Sequence, residues 1–247
     1  MIEMDLKKVK YGIIQRVISK YYSIGGDFDK IFMFHQVNNN RKKWADEHFS
    51  ITQDGFEDFI KLIKQKYTVT SIDDLFSTEK LVTTDKKQHQ AYLTFDDIYE
   101  DVFYNALPFL KEYSLPFTIF VTTGFIDKKG YISSTMLNNL KDNPLCTIGA
   151  HGITHSMVRY LSDEEARCEI EGAKIELEKR LNTRIKYYAF PYGSMYACSK
   201  RDRIIASDSG FNACFSTINS SINKISCNDR YFIPRINVSQ DNYRRLV

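Results

Sequence analysis

The amino-acid sequence predicts an α/β protein built around a mainly parallel sheet of about seven strands, with helices packed outside it. Two observations support this prediction. From about Ile31 onward, short apolar runs alternate with segments of helical period, which is typical of parallel sheets. The chain also has 247 residues, 43% of them apolar, which is enough to build a large buried core. At this number of strands, the pattern fits a barrel and an open sheet equally well.

Each apolar run is short enough to be a strand and is predicted to be buried within the sheet. The predicted strands span residues 31–34, 91–95, 116–121, 145–150, 185–190, 211–216 and 231–236.

Three segments between these strands show the helical period. The first begins near Thr52, and the second, over residues 102–110, is interrupted by Pro108. The clearest begins at Ser162, which can form a capping box with Glu165. Its core-facing stripe consists of Ala166, Ile170, Ala173, Leu177 and Leu181.

Residues 1–26 are predicted to form a separate amphipathic helix, followed by one large domain at residues 27–247. Most Lys and Arg residues of this segment lie off its apolar stripe, and Gly25 and Gly26 end it. Such a helix either lies on a membrane surface or packs against the large domain or a second subunit. Packing is favoured, because apolar stripes usually face a core. The stripe consists of Leu6, Val9, Ile13, Val17 and Tyr21.

Charge and cysteine content exclude several classes of protein. The formal net charge is only +3, from 34 basic and 31 acidic residues, which gives no reason to expect a nucleic-acid partner. The five cysteines are odd in number and form no C-x-x-C pair, so neither a disulfide framework nor a thiolate metal site is indicated. The N-terminus lacks the apolar core of a signal peptide. We therefore expect a cytoplasmic protein, either free or attached to the inner membrane surface through residues 1–26.

Polar, chemically reactive residues follow four of the predicted strands. Asp96 and Asp97 come after the strand at residues 91–95, and His151 comes after the strand at residues 145–150. Residues 191–193 (PYG) follow the strand at residues 185–190, and His35 follows the first strand. The carboxyl ends of parallel strands meet on one face of a sheet, where active sites are built. This placement predicts a functional site at that face.

A metal site is the chemistry that these residues favour. His151 and His155, four residues apart, together with one carboxylate would supply three ligands, which leaves a position open for water as in catalytic zinc sites. The second carboxylate of the Asp96–Asp97 pair would then be available as a base. Either motif alone is common in proteins without a metal, but the two on neighbouring strand ends favour a site.

These motifs resemble those of the NodB-homology polysaccharide deacetylases, carbohydrate esterase family 4. Thr94–Asp97 (TFDD) resembles the first family motif, and His151–His155 (HGITH) is similar to the second, although Gly152 stands where a hydroxyl residue is usual. Phe190–Gly193 (FPYG) resembles the third, and Ile31–Val37 (IFMFHQV) resembles the opening strand of many members. The resemblance extends from about Ile31 to Val238. It implies a distorted (β/α) barrel, with residues 27–247 as the catalytic domain, and metal-dependent N-deacetylation of a carbohydrate.

The resemblance also implies a role for each matching residue. Asp97, His151 and His155 would hold the metal, and Asp96 would be the general base. The backbone N–H of Tyr192 would stabilise the oxyanion. The ion is expected to be Zn²⁺, with Co²⁺, Ni²⁺ and Fe²⁺ as alternatives, because affinity follows the metal series more than the site.

Substrate contacts are expected from the third motif and from the single tryptophan. Pro191 and Tyr192 would line the sugar site. Trp44 would either stack on a sugar face or serve only in packing.

Two departures from the family pattern place further residues in the site. No Arg precedes Pro191 in the third motif, and no His follows His155. In the branch of the family whose motifs are permuted, the acid comes from the first strand, a place that His35 matches. Arg235 could replace the missing Arg and orient Asp96. The alternative for His35 is a buried, hydrogen-bonded core histidine.

The strand-end residues and the resemblance together predict a metal-dependent hydrolase. The resemblance implies that it removes an N-acyl group, expected to be acetyl, from an amino sugar in surface polysaccharide metabolism. Two alternatives stay open at this point. Two histidines and a carboxylate also describe a non-haem iron oxygenase. The departures also leave open a catalytically inactive, carbohydrate-binding protein of the same fold.

Overall fold

The computed structural model describes residues 10, 12–14, 16–17, 28–76, 89–222 and 229–247. The chain divides into two compact units. Unit 1 comprises residues 1–28, 122–124 and 149–236, and unit 2 comprises residues 29–121, 125–148 and 237–247. Each unit is therefore assembled from segments that are distant in the sequence.

Ten strands lie in the described part of the chain. Seven of them follow one another in hydrogen-bonded order, in agreement with the predicted number, namely β10, β1, β5, β6, β7, β8 and β9. The strands are Lys30–Phe34 (β1), Gln36–Val37 (β2), Ser50–Ile51 (β3), Tyr67–Val69 (β4), His89–Asp96 (β5), Phe117–Val121 (β6), Cys146–Ala150 (β7), Tyr187–Ala189 (β8), Ala213–Phe215 (β9) and Ile236–Asn237 (β10).

Several helices begin where local signals predict. Thr52 caps the first helix by accepting a hydrogen bond from the Gly55 N–H, and Ser162 and Glu165 form the predicted capping box. The segment at residues 102–110 is divided at Ala106, with Pro108 in the first turn of the second helix. The helices are Gln53–Lys66 (α1), Ile72–Leu75 (α2), Glu100–Asn105 (α3), Leu107–Glu112 (α4), Ser134–Lys141 (α5), Asp163–Arg167 (α6), Ala173–Leu181 (α7) and Lys200–Asp208 (α8).

Unit 2 is organised around parallel pairing of β5 with β1, β4 and β6. Its core is rich in aromatic rings that pack edge to face or stacked. Phe34 of β1 lies 5.2 Å from Phe95 of β5 and 5.2 Å from Phe56 of α1, measured between ring centroids. Aromatic pairs of this kind add to the free energy that burial provides. The core therefore fixes the register that brings the ends of β1 and β5 side by side.

Unit 1 contains the parallel pairs β7–β8 and β8–β9. The last predicted strand is wrong in its extent. Of residues 231–236, only Ile236 belongs to a strand, and Ile233 makes an isolated bridge to Phe215. Pro234, between them, has no N–H to donate to a ladder.

The predicted N-terminal helix lies largely outside the described residues. Residues 10, 12–14, 16 and 17 are helical, and the side chains of Ile13 and Val17 are exposed. The division at residue 26 and a contact of this segment with a membrane or a second subunit stay predictions. Among the described residues, no helix combines the length and the apolar character needed to span a bilayer.

Candidate metal centre and active site

The two aspartates lie at the carboxyl end of β5, in a sharp turn of unit 2. Both are buried. The Ile98 N–H donates to the Asp96 carbonyl at 2.6 Å, and φ is 62° at Asp97 and 56° at Ile98. Positive φ at residues other than glycine is uncommon and concentrates at functional sites, where the surrounding structure must compensate for the strain. The turn therefore ends β5 at Asp96 and places Asp97 directly beyond the strand.

Two stacked tyrosines flank this turn, and no local pattern in the sequence predicts their pairing. The rings of Tyr99 and Tyr131 lie 4.9 Å apart, and the two residues form an antiparallel bridge. Burial raises the pKa of both phenols, and the negative charge of Asp97 raises each pKa further. Both side chains are therefore neutral hydrogen-bonding groups at physiological pH.

His35 follows β1 in unit 2 and is half-buried. Its ring lies 4.7 Å from the ring of Phe49, at an interplanar angle of 56°. Its position after β1 agrees with the prediction that a histidine stands at this strand end. Whether it acts as an acid stays a prediction.

Trp44 is half-buried in the segment after β2. Its indole N–H donates to the Asn38 carbonyl at 2.6 Å, and the Arg41 guanidinium lies 4.8 Å from the centre of its ring. Gln36 holds the same segment by donating to the Lys43 carbonyl and accepting from the Ala45 N–H. The ring of Trp44 is thus fixed by hydrogen bonds and a cation–π contact, and a substrate contact stays a prediction.

In unit 1, His151 follows β7 and is buried. Its Nδ1 lies 2.8 Å from the carbonyl oxygen of Ala189. Because a carbonyl can only accept, Nδ1 carries the proton in this contact, and Nε2 of the neutral ring has the lone pair that a metal ligand needs.

His155 lies at the other end of the same loop and has φ 61°. Its ring is 5.0 Å from the ring of His151 and 4.7 Å from that of Tyr192. Gly152, the departure from the usual second motif, has φ 78°. A β-carbon there would be strained by the backbone conformation, which explains why glycine suits this position.

The third motif forms a tight turn after β8. Tyr192 has φ 58° and Gly193 φ 40°, and the Thr217 hydroxyl and N–H donate to the carbonyls of Tyr192 and Gly193 at 2.8 and 2.9 Å. A β-carbon on Gly193 would lie 2.7 Å from the Thr217 nitrogen, so this turn requires glycine. Pro191 is buried within it, whereas the side chain of Tyr192 is 49% exposed.

Arg235 is fully buried in unit 1. Its side-chain Nε donates to the Ser216 carbonyl at 3.0 Å. Its backbone N–H donates to the Ile218 carbonyl at 3.1 Å. A buried guanidinium is stable only when hydrogen bonds or opposite charge satisfy it. The side chain therefore does not face solvent, and its proposed action on Asp96 stays a prediction.

Asp97, His151 and His155 each offer one ligand atom, and these three atoms lie within 4.8 Å of one another. The donor set fits a divalent ion: one carboxylate and two imidazoles are the ligands of many catalytic zinc sites. The Nδ1–H of His151, engaged by Ala189, agrees with this, because ligating histidines usually donate their other N–H to a protein acceptor.

Comparisons with known proteins show which family the sequence matches. The sequence matches the polysaccharide deacetylase family over residues 83–213, just over half of the chain. It is 26% identical to the poly-beta-1,6-N-acetyl-D-glucosamine N-deacetylase of Staphylococcus aureus strain MRSA252, over 98% of this chain and 84% of that protein.

Solved structures extend the comparison to the fold. The deacetylase PplD of Streptococcus pyogenes, in complex with acetate, has a TM-score of 0.75 at 20% identity, over 90% of this chain and 97% of PplD. IcaB from Ammonifex degensii has a TM-score of 0.75 at 18% identity, over 90% of this chain and 96% of IcaB. This likeness confirms the predicted α/β fold class of deacetylase type, with seven parallel strands.

Proposed function

Because the chain belongs to the polysaccharide deacetylase family, we propose that it removes N-acetyl groups from N-acetylglucosamine units of a surface polysaccharide, with the help of a divalent metal ion. The proteins it resembles are hydrolases acting on carbon–nitrogen bonds, and this chain is an enzyme of that class. The Staphylococcus relative named for poly-β-1,6-N-acetylglucosamine supports this choice of substrate.

The observation that carries the proposal is the grouping of Asp97, His151 and His155. We propose that these three residues hold Zn²⁺, with Co²⁺, Ni²⁺ or Fe²⁺ as possible substitutes. When bound, the ion would supply Lewis acidity, which lowers the pKa of a water molecule and polarises a carbonyl oxygen. Asp97 and His151 are buried and His155 is half-buried, so the protein limits access of bulk water to the ligands.

Asp96 would act as the general base that takes a proton from the attacking water. A carboxylate suits this role because it is ionised at neutral pH and needs only hydrogen-bond reach to the water. The N–H of Tyr192 would donate to the oxyanion, which forms on the acetyl oxygen when the water adds to the acetyl carbon. Preorganised donors of this kind contribute several kcal/mol to transition-state stabilisation, roughly 3–4 kcal/mol for one donor in a comparable site.

His35 would donate the proton that the departing amine needs, since an unprotonated amine is a poor leaving group. Arg235 would keep Asp96 ionised and oriented. The full burial of Arg235 supports this role, because a buried guanidinium gains most from a carboxylate partner.

Sugar binding would involve Tyr192, Pro191 and Trp44. The exposed ring of Tyr192 lies beside His155, and the apolar face of a sugar ring can stack on such a side chain. Family membership favours hydrolysis over the two alternatives that the sequence left open, an iron oxygenase and an inactive carbohydrate-binding protein.

The test is acetate release from oligomers of β-1,6-linked N-acetylglucosamine, measured with metal-stripped protein and after addition of Zn²⁺, Co²⁺ or Ni²⁺. We expect activity only with the metal. Equal rates with and without metal would exclude metal dependence. Absence of acetate release from any N-acetylated sugar by the metal-loaded protein would favour the carbohydrate-binding alternative.

A further inference from the structure

Glu169 is an acidic residue that the proposed chemistry does not use, and its whole carboxylate is directed at the loop between the two histidines. One oxygen accepts from the N–H groups of Ile153 and Thr154, at 2.9 and 3.0 Å. The other accepts from the Thr154 hydroxyl at 2.7 Å. We propose that Glu169 is a positioning residue that holds His151 and His155 in the geometry needed to bind a metal ion. This inference rests on the metal site in the proposed function.

The environment of Glu169 suits this task. The residue is buried, with 8% of its surface exposed. In the part of the chain that the structure describes, its partners are N–H and hydroxyl donors of this loop and no basic side chain. A buried carboxylate that accepts several hydrogen bonds is stabilised by them in place of water. The carboxylate and the loop therefore depend on each other. The loop supplies donors to the buried carboxylate, and the carboxylate accepts from N–H and hydroxyl groups of the loop.

The loop needs such support because its backbone enters the left-handed region at both ends, and His155 has no glycine-like freedom to do so. Gly152 and His155 have φ 78° and 61°, and a non-glycine residue in the left-handed region costs about 1 kcal/mol or more unless other contacts enforce it. The residues between them, Ile153 and Thr154, are the ones whose N–H groups Glu169 binds. The hydrogen bonds thus act on the segment whose conformation sets the separation of the two imidazoles.

The opposite edge of the loop is also held, by main-chain groups of residues 122–124 in the same unit. The Thr123 and Gly124 N–H groups donate to the carbonyls of Gly152 and Ile153, at 3.1 and 2.9 Å. A β-carbon on Gly124 would lie 2.4 Å from the Ile153 carbonyl oxygen, so this contact requires glycine. Since the carbonyls are satisfied from one side and the N–H groups by Glu169, removal of Glu169 would release one edge of the loop.

The local helix structure places Glu169 at the loop. It lies in a π-helical turn, Cys168–Gly172, between α6 and α7. A β-carbon on Gly172 would come within 2.9 Å of the Ile153 side chain, so the helix and the loop pack closely here. π turns are rare and are frequent at functional sites. The close packing keeps the short Glu169 side chain within reach of both N–H groups.

The proposal is tested with the full chain in three variants: Glu169→Ala, Glu169→Gln and the control Glu171→Ala. Glu171 belongs to the same π turn, but its side chain is 39% exposed and pairs only weakly with Arg167 at 3.5 Å. Zn²⁺ affinity is measured by competition with a chromogenic chelator. Loss of Glu169 should weaken Zn²⁺ binding about 10–100-fold, as for residues that orient metal ligands. The Zn²⁺ affinity of Glu169→Gln should lie between those of the parent protein and Glu169→Ala, because its side-chain carbonyl oxygen still accepts from the loop. The affinity of Glu171→Ala should match that of the parent protein.

A second readout does not need the metal. Amide hydrogen exchange in the metal-free protein should speed up at Ile153 and Thr154 in Glu169→Ala, and not in the control. If Glu169→Ala fails to fold, Glu169→Gln decides the question. Parent-like Zn²⁺ affinity and unchanged exchange in either folded variant would overturn the inference. Failure of the parent protein to bind any divalent ion would instead overturn the proposed function, and the exchange rates would still show whether Glu169 holds the loop.

Discussion

The carboxylate of Asp101 in α3 accepts a hydrogen bond from the backbone N–H of Val37 at 3.2 Å. Its second oxygen accepts from the Asn38 side chain at 3.2 Å. Val37 belongs to β2, directly beyond His35, so Asp101 ties α3 to the segment that carries the proposed acid. Burial raises the pKa of Asp101, and hydrogen bonds from the residues 36–38 oppose this effect.

The first prediction concerns the stability that Asp101 provides. Asp101→Ala should lower the free energy of unfolding by about 1–3 kcal/mol, because the buried Val37 N–H loses its acceptor. Asp101→Asn should cost less, since its side-chain carbonyl can still accept. Urea denaturation of both variants measures these differences. Asp142→Asn, which changes an exposed aspartate, is the control.

The pH dependence of the free energy of unfolding, compared between the parent protein and Asp101→Asn, gives a sharper test. A carboxyl group whose pKa is raised on folding binds its proton more tightly in the native state. The stability of the parent protein relative to Asp101→Asn should therefore fall as the pH rises from 3.8, the ordinary pKa of an Asp side chain, through the raised pKa of the folded state. At higher pH the difference in stability should stay constant. A difference that does not change with pH would show that the carboxylate carries no such cost.

The second prediction concerns the metal ligands. Replacement of Asp97, His151 or His155 by Ala should weaken Zn²⁺ binding more than ~100-fold, beyond the loss expected for an outer-shell residue. The parent protein should bind about one ion per chain. Isothermal titration calorimetry measures both quantities, and His48→Ala, which removes an exposed histidine, is the control. A ligand variant that binds Zn²⁺ as tightly as the control would remove that residue from the site.

The third prediction separates the two adjacent aspartates. Asp96→Asn should keep the fold and the metal but reduce turnover by ~10²–10⁴-fold, the usual loss when a general base is removed. Steady-state kinetics of acetate release, with the metal content measured on the same samples, checks this. Near-parental turnover in the metal-loaded variant would mean that another group takes the proton.

The fourth prediction uses the leaving group to test His35. His35→Gln should reduce hydrolysis of N-acetyl sugars by ~10²–10⁴-fold, because the amine then departs without a proton. Hydrolysis of 4-nitrophenyl acetate should change little, since its phenolate leaving group needs no acid. Equal losses on both substrates would show that His35 does not serve as the acid and has a structural role.

Features of the fold that depend on neighbouring residues could be predicted from the sequence. The cap at Thr52, the capping box of Ser162 and Glu165, and the break near Pro108 are set by side chains within a few positions of one another. The central strands were also predictable, because continuous apolar runs leave the interior of a parallel sheet as their best environment. Prediction of the strand-end residues followed from the same reasoning.

Features that depend on distant residues could not be predicted. Glu169 meets Ile153 across 16 positions, and Asp101 meets Val37 across 64. No periodic pattern encodes such pairs. A partial signal existed for Glu169, which lies three positions after Ala166 of the core-facing stripe, where an acid is unexpected. The π turn around it also stayed hidden, because the helical period of residues 162–181 is nearly continuous.

The parallel pairing of the strands has a consequence for how the chain reaches its folded state. Ile31 of β1 pairs with Tyr92 of β5, and the strand pairs β5–β6 and β8–β9 are also parallel, so no tight hairpin can nucleate them. Closing such long loops before any contact forms slows folding. In the meantime, apolar runs such as Phe117–Val121 remain exposed to other chains and can aggregate. Refolding from denaturant should therefore be slow, and its yield should fall as the protein concentration rises.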